Sequence, residues 1–322
     1  MKINRAYKKR NLKKFLWSIT LPFVLALWNS PFEEFCAKLG DFGKTLYYRI
    51  LKIRFLITKK PSIPWFLYFG TSHCTLNCKQ CNQFIGGYKK NSHIKPVTFD
   101  TFKKDIDKIL SAVDYIYGFQ IIGGEPLLIK DLPKMLEYAA QQKQIKHVFF
   151  ATNCTIFPTQ ELMSILKKYK ISVQLSDYRC LENPLIKYEE VRQMFQREKI
   201  KLSLIQEIEE KTFYIVPKVK DIQDTTLNKQ EKFDSCEPFN YWVSVCNGLF
   251  YGCSATLYLK RNTEIKDIDE DILNIHKYTT QELTQEIIKW FSKPCYNTCA
   301  YCHFGDEIFK REKRGLQNVS NK

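Results

Sequence analysis

The stretch PWFLYFGTSHCTLNCKQC, residues 64–81, joins an apolar run to a loop that holds three cysteines spaced C-x3-C-x2-C. Residues 64–72 predict a buried β-strand, because apolar and aromatic residues follow one another with little polar interruption. A closed structural metal site uses four ligands, whereas this loop supplies three. The loop therefore predicts a metal centre that keeps one coordination position for another molecule.

The 322 residues and 44% hydrophobic content suit one substantial domain and a smaller one. Nine of the twelve cysteines lie in three closely spaced groups, namely Cys74, Cys78 and Cys81; Cys236, Cys246 and Cys253; and Cys295, Cys299 and Cys302. Such grouping in a chain of this length indicates metal ligation by thiolates in a reducing compartment, not the disulfides of a small secreted protein.

The positive charge is concentrated at the N-terminus, where residues 1–60 hold 14 Lys and Arg but only 3 acidic residues. The apolar run at residues 15–28 is shorter than the roughly 20 residues that span a bilayer. Two interpretations stay open: an anchor on the membrane surface and a helical hairpin packed on the rest of the protein. We expect a cytoplasmic protein, peripheral at the inner face of the membrane if the segment is an anchor. No nucleic-acid partner is expected, because no binding module accompanies the basic residues.

Predicted strands and helices alternate from residue 64 to residue 205. The five strands are residues 64–72, 114–124, 147–153, 171–177 and 200–205. The helices between them lie at residues 98–113, from about 131, at 159–170 and at 187–199, with Thr98 as an N-cap and Pro133 in a first turn. This order predicts a parallel sheet built from right-handed crossover units. The alternation stops after about residue 220.

Polar or metal-binding residues follow each of the first four strands. They are the three-cysteine loop, GGEP at residues 123–126, TNC at residues 152–154 and SDYR at residues 176–179. Because the carboxyl ends of parallel strands meet at one rim of a sheet, these four stretches are expected to form one site. Three thiolates can hold three irons of a 4Fe–4S cluster and leave the fourth iron open. Zinc is the alternative, although its structural sites pair one C-x2-C with a second pair.

CTLNCKQC at residues 74–81 and GGEPLL at residues 123–128 together resemble the motifs of the radical S-adenosylmethionine (SAM) superfamily. The resemblance covers roughly residues 64–215 and implies an α/β fold, a partial (β/α)6 barrel. It implies that the open iron binds the amino and carboxylate groups of SAM. A reductant such as flavodoxin or ferredoxin would then deliver the electron that cleaves SAM to a 5′-deoxyadenosyl radical, which abstracts hydrogen from the substrate.

The resemblance also implies roles for individual residues. The cluster ligands are Cys74, Cys78 and Cys81. The SAM-binding residues are Gly123, Gly124, Glu125, Asn153, Ser176 and Asp177. The two glycines permit close backbone approach, and the carboxylate of Glu125 accepts hydrogen bonds from the SAM ammonium.

Three candidate positions have alternatives, and a fourth position departs from the family. Ser176 and Asp177 equally suit a turn that caps a strand. Arg179 is the candidate for binding substrate or stabilising a deprotonated radical, and its alternative is a solvated surface arginine. Gln80 stands where the family usually has an aromatic residue near the adenine of SAM.

YWVSVCNGLFYGCSA, residues 241–255, predicts a β-hairpin with Asn247 and Gly248 in a type I′ turn. This register pairs Cys246 with Leu249 and Trp242 with Cys253. The two cysteines are then roughly 13 Å apart along the ladder at the usual strand rise. Cys253 is therefore expected to be a ligand and Cys246 to be structural or free.

Cys236, Gly248 and Cys253 fit C-x11-G-x4-C, which resembles the opening of the SPASM and twitch auxiliary-cluster domains. The resemblance implies one auxiliary 4Fe–4S cluster of the twitch type. Its expected ligands are Cys236, Cys253, Cys299 and Cys302, with Cys295 as a spare. A zinc knuckle of the same four cysteines is the alternative.

Three units are therefore expected: a basic helical extension at residues 1–62, a radical SAM core at 63–220 and an auxiliary-cluster domain at 221–322. The twitch arrangement resembles that of an aminocyclitol dehydrogenase. It favours oxidation of a sugar-like or cyclitol alcohol, with the auxiliary cluster as electron acceptor. The alternatives are a peptide-modifying maturase of the SPASM type, and a non-catalytic iron–sulfur or zinc scaffold.

Overall fold

The structure is a computed structural model that describes residues 55–79, 81–179, 183–204, 212–214, 228–236, 242–302 and 311–313. Most of the basic extension lies outside these ranges, and so do Cys36, Gln80 and Cys180. The membrane anchor and the effect of Gln80 on the adenine contact therefore stay predictions. Within the ranges described, no helix has the length and apolar character needed to cross a bilayer.

One large sheet organises the described residues. Its strands are β1 (Ser62–Phe69), β2 (Tyr115–Ile122), β3 (Ile145–Thr152), β4 (Ser172–Leu175), β5 (Leu202–Leu204), β7 (Trp242–Cys246), β8 (Leu249–Tyr251) and β9 (Leu273–Asn274). They lie in the order β5-β4-β3-β2-β1-β7-β8-β9. Neighbouring strands from β5 to β7 in this order are parallel to each other. β8 is antiparallel to both of its neighbours, β7 and β9. A separate two-stranded sheet pairs β6 (Thr212–Tyr214) with β10 (Arg311–Lys313).

Helices cross between the parallel strands as predicted. They are α1 (Phe99–Ala112), α2 (Leu132–Gln141), α3 (Gln160–Tyr169) and α4 (Tyr188–Arg197). Thr98 caps α1 by accepting the N–H of Thr101, and Pro133 lies in the first turn of α2. After residue 220 follow α5 (Lys229–Ser235), α6 (Ser254–Asn262) and α7 (Thr280–Phe291). The α/β class and its mainly parallel sheet are therefore confirmed.

The core lies where α1 packs on β1 and β2. The predicted apolar face of this helix, which comprises Phe102, Ile106, Ile109 and Val113, is fully buried. β2 is buried over nearly its whole length, as expected of a strand covered on both sides. The rings of Tyr68 on β1 and Phe102 on α1 meet edge to face at 4.7 Å.

A sixth parallel strand comes from beyond residue 220. β7 pairs with β1 on the side opposite β2, with Trp65 opposite Trp242 and Tyr68 opposite Val245. The large sheet thus continues across the boundary that the sequence placed at residue 220. β7 and β8 form the predicted hairpin, in which Cys246 faces Leu249.

The hairpin is shorter than the sequence predicts. Asn247 and Gly248 have φ values of 47° and 74°, which a type I′ turn requires. The ladder ends where Ser244 faces Tyr251, and Cys253 is the N-cap of α6. The predicted pairing of Trp242 with Cys253 is therefore wrong, because the chain leaves the sheet to begin a helix.

A buried carboxylate joins α1, β1 and the hairpin turn. Asp105 is 1% exposed. Its Oδ2 accepts the hydroxyl of Tyr68 and the N–H of Gly248, each at 3.0 Å. Its Oδ1 lies 2.7 Å from Nε2 of His276. The carboxylate therefore holds the β7–β8 turn, which follows it by more than 140 residues, against the core.

We expect Asp105→Ala to lower the free energy of unfolding by about 3 kcal/mol, because buried donors lose their acceptor. The measurement is urea unfolding followed by circular dichroism. Asp107→Ala is the matched control on the same helix, since Asp107 is exposed and pairs with Lys103 at the surface. Its expected loss is below about 1 kcal/mol. Equal losses in the two variants would contradict the role given to Asp105.

The loops after β1 and β2 are held together by their backbones. The N–H of Gly124 donates to the carbonyl of Thr71 at 2.8 Å, and that of Glu125 to the carbonyl of His73 at 2.9 Å. A Cβ on Gly123 would lie 2.3 Å from the Thr71 oxygen, and one on Gly124 2.1 Å from the His73 oxygen. Both glycines are therefore required by their contact with the segment that leads into the three-cysteine loop.

Gly124→Ala is expected to destabilise the protein by roughly 1–3 kcal/mol, because the added methyl group meets a backbone oxygen that cannot rotate away. Gly70→Ala is the comparison variant, since the only atom that its Cβ would clash with is Cδ1 at the tip of the Ile129 side chain. Parallel urea titrations measure both. A smaller loss for Gly124→Ala than for Gly70→Ala would show that the contact between the loops is not tight.

Candidate active site

Backbone N–H groups lie near two sulfurs of the three-cysteine loop. Leu76 donates its N–H to Sγ of Cys74 at 3.4 Å. Burial is the larger influence on the pKa of Cys81, which it raises, and the backbone N–H groups of Gln83, Phe84 and Ile85 act in the opposite direction. Burial raises the pKa of the Cys74 thiol to about 12 and also raises that of Cys81. Without metal these sulfurs hold their protons near neutral pH, so binding of a metal centre there releases protons.

All three thiols of the loop lie close to the phenol of Tyr178. Burial raises the pKa of Tyr178, and the charges of Cys78, Cys81 and Cys74 raise it further. Ser176 makes a hydrogen bond with the Tyr178 side chain. Tyr178 was not among the predicted site residues. The feature of the sequence that could have identified Tyr178 is its position directly after Ser176 and Asp177, at the end of a predicted strand.

Glu125 is a fully buried carboxyl group at the end of β2. Its Oε1 accepts the N–H of Leu127 at 3.1 Å, and its Oε2 accepts that of Asn153 at 2.8 Å. Burial raises its pKa to about 7, although these hydrogen bonds act in the opposite direction. The group is therefore poised between its neutral and ionised forms near neutral pH. A cation beside it would favour the carboxylate.

Asn153 connects Glu125 with the three-cysteine loop. Its Nδ2 donates to Oγ1 of Thr75 at 3.0 Å and lies 3.6 Å from Sγ of Cys74. Its Oδ1 accepts both the N–H and the hydroxyl of Thr155. The side chain is buried and held at both ends, so it fixes the orientation of Cys74 relative to Glu125. Its predicted contact with SAM stays a prediction.

The residues after β4 form an ion-pair network. Oδ1 of Asp177 accepts the N–H of Arg179 at 3.0 Å, which is the strand-capping turn named as the alternative for Asp177. The guanidinium of Arg179 pairs with Asp177 and Glu189 and lies 4.5 Å from the centre of the Tyr188 ring. The side chain of Arg179 remains 43% exposed. The predicted roles of Ser176 and Asp177 toward SAM, and of Arg179 toward substrate, stay predictions.

A second group of cysteines forms where α5, α6 and the turn at residues 297–301 meet. Cys236 ends α5, Cys253 caps α6, and Cys299 and Cys302 belong to the turn and its end. Burial raises the pKa of Cys253, and the charges of Cys302, Cys236 and Cys299 raise it further. These four are the cysteines that the sequence assigns to an auxiliary cluster, and their role as ligands stays a prediction.

The neighbouring cysteines have different surroundings. Cys246 is 2% exposed among apolar side chains such as Leu67 and Tyr251, and burial raises its pKa to about 12. Cys295 packs at the edge of the main core. Burial raises the pKa of Tyr296, and the charges of Asp271, Cys299 and Cys295 raise it further. Neither thiol contributes to the pKa shifts of Cys253 or Cys299.

The donor chemistry of both sites suits iron–sulfur clusters. Within the described ranges, no group of three or more Cys, His, Asp or Glu side chains is arranged so that it could hold a metal ion as it stands. Soft sulfur donors with backbone N–H groups directed at them match an iron–sulfur cluster, whereas hard cations require oxygen ligands. Cys74, Cys78 and Cys81 would hold the cluster that leaves one position open.

Comparisons with known proteins agree with this chemistry. A family model described as the radical SAM superfamily matches residues 68–177. No curated protein sequence matches the chain. Among solved structures, BtrN in complex with AdoMet and 2-DOIA has a TM-score of 0.51 and 15% sequence identity, over 80% of this chain and 95% of that one. This likeness is one of fold.

Two looser likenesses involve structures with bound peptide. anSMEcpe with AdoMet and the Kp18Cys peptide has a TM-score of 0.43 and 14% identity, over 80% of this chain and 91% of that one. Streptococcus suis SuiB bound to precursor peptide SuiA has a TM-score of 0.37 and 15% identity, over 76% of this chain and 52% of that one.

The family match spans the loops that end β1, β2, β3 and β4, which are the loops that carry the three cysteines, Glu125, Asn153 and Asp177. The family uses a 4Fe–4S cluster and SAM, and the donor set of the three-cysteine loop suits that cluster. Residues 68–177 therefore carry a radical SAM domain.

Proposed function

We propose that this radical SAM enzyme is an oxidoreductase that converts a sugar-like or cyclitol alcohol to a carbonyl compound. When bound, the cluster and SAM supply the 5′-deoxyadenosyl radical that removes one hydrogen atom from a substrate C–H bond. The substrate radical must then lose one proton and one further electron. The four-cysteine set supports this choice, because a closed iron–sulfur cluster there can accept that electron.

The residues of the first site support the binding of SAM. A carboxyl group with a pKa of about 7, buried beside the three-cysteine loop, suits an ammonium group better than it suits an anion. Asn153 holds Glu125 and Cys74 at a fixed separation. We propose that Glu125 receives the SAM ammonium, and that Gly123 and Gly124 keep the two loops close enough for this contact.

At the rim after β4, we propose that Ser176 and Asp177 border the SAM site and that Arg179 contacts the substrate. The guanidinium keeps an exposed face while Asp177 and Glu189 hold it in place. An arginine fixed in this way can donate paired hydrogen bonds to a hydroxyl or alkoxide oxygen.

The partners follow from the chemistry. We propose a small redox protein of the flavodoxin or ferredoxin class as the reductant. The basic residues at 1–60 suit contact with anionic lipid at the inner face of the membrane. A peptide substrate is the alternative to a sugar-like one, since peptide-modifying maturases use the same two-cluster plan.

Reductive cleavage of SAM is the first test. Anaerobically reconstituted protein with dithionite is expected to form 5′-deoxyadenosine, whereas Cys81→Ala is expected to reduce the yield to background. Cys246→Ala is the matched control. Cys81 is partly buried and Cys246 is buried, so both variants remove a thiol from the interior, but only Cys81→Ala changes the three-cysteine loop. Chromatography of the quenched reaction measures the product. If the intact protein forms none, the proposed reaction is wrong.

Metal content tests the second cysteine set. We expect about eight irons per chain in the reconstituted protein and about four in Cys253→Ala, because one of two cubanes is lost. Cys295→Ala, which removes the neighbouring thiol outside the set, should keep about eight. About four irons with one zinc in the wild type would favour the zinc knuckle instead. A loss of iron on replacement of Cys295 but not of Cys302 would reassign the ligand.

A further inference from the structure

The two cysteine sites are joined by a buried hydrogen bond between side chains. Gln83 lies two residues after Cys81, and Ser254 follows Cys253 directly. The hydroxyl of Ser254 donates to Oε1 of Gln83 at 2.9 Å. Gln83 is 9% exposed and Ser254 is 7% exposed. The bond thus spans from the end of the three-cysteine loop to the start of α6 with little access of water.

This bond is part of a continuous path from one sulfur to the other. At one end, two peptide bonds connect Gln83 with Cys81. At the other end, one peptide bond connects Ser254 with Cys253. One hydrogen bond and the covalent bonds of residues 81–83 and 253–254 therefore connect the two sulfurs. Covalent and hydrogen bonds transmit electron tunnelling better than gaps between packed atoms do.

The packing of α6 on this loop does not depend on the path. The rings of Phe84 and Tyr258 stack at a centroid distance of 5.3 Å, and the Tyr258 hydroxyl donates to the carbonyl of Gly87 at 3.2 Å. The N–H of Lys89 donates to Oδ1 of Asn262. An apolar pair in place of Gln83 and Ser254 would fill the same space without burying polar groups. Packing alone therefore does not account for this pair.

We propose that Gln83 and Ser254 are positioning residues that couple the two cysteine sites and provide the route by which an electron passes between them. The proposal rests on the proposed function, since it requires a cluster at each site. One electron leaves the auxiliary cluster, which goes from the +1 to the +2 state. The same electron enters the SAM-binding cluster, which goes from +2 to +1, and no proton moves.

The test follows one turnover of prereduced protein. Both clusters are reduced, the reductant is removed by desalting, SAM is added, and freeze-quench electron paramagnetic resonance follows the auxiliary cluster while 5′-deoxyadenosine is counted. Each SAM cleavage uses one electron, so about two equivalents are expected per wild-type chain. The auxiliary signal should disappear at the rate at which the second equivalent forms.

Variants locate the route. Gln83→Leu and Ser254→Ala should leave the first equivalent unchanged and slow both the second equivalent and the decay of the signal at least roughly tenfold. Ser254→Thr keeps the hydroxyl and should behave as the wild type does. Tyr258→Phe is the matched control, because it removes another hydrogen bond between the same loop and α6. Iron content confirms that each variant has folded and loaded, and Ser254→Ala serves if Gln83→Leu does not fold.

The contrary outcomes are distinct. Wild-type rates in both variants, with about eight irons present, would overturn the route but leave the proposed function standing. A wild-type yield of only one equivalent with two clusters loaded would show that no electron returns, and would overturn it as well. About four irons and no auxiliary signal in the wild type would overturn the second cluster, and with it both proposals.

Discussion

The loops that follow β1 and β2 approach each other until their backbones are in contact at Gly123 and Gly124. Two backbone hydrogen bonds hold them there, and a single methyl group on either glycine would collide with a carbonyl oxygen. This contact places Glu125 beside the residues that precede Cys74. Through Asn153, the end of β3 is then tied to both loops. The ends of three neighbouring strands thus become one rigid rim, which a site needs if it is to hold a metal centre and a second molecule in fixed relation.

The pairing of β7 with β1 brings residues from beyond residue 220 next to this rim. Because β7 extends the sheet beside the strand that carries the three-cysteine loop, the hairpin delivers Cys253 and α6 to the same neighbourhood. The carboxylate of Asp105 holds the hairpin turn against the core. Cys253, one member of the four-cysteine set, is therefore positioned by the sheet.

Sequence periodicity predicts the local part of this arrangement well, because each βα unit carries its own apolar face and caps. The face of α1 and the cap at Thr98 are examples. The pairing of β7 with β1 joins segments more than 170 residues apart, and no local pattern specifies such a partner. The hairpin prediction failed at Cys253 for a related reason, since α6 competes for the residues that would otherwise extend the strand. Motif spacing found both cysteine sets, but Tyr178 and the contact of Gln83 with Ser254 follow only from three-dimensional packing.

The predicted donor sets of the two sites differ by one sulfur, so the same thiol chemistry would serve two different purposes. Burial raises the pKa of Cys74, Cys81, Cys253 and Cys299, so each of these sulfurs would release a proton on binding a metal. A set of three would leave one coordination position open, and the proposed partner of a cationic ligand there is the buried carboxyl of Glu125, whose pKa burial raises to about 7. A set of four leaves none, so a cluster held there could change its charge but could not bind substrate. With one open and one closed cluster close together, the proposed exchange between them is the transfer of an electron and not of an atom.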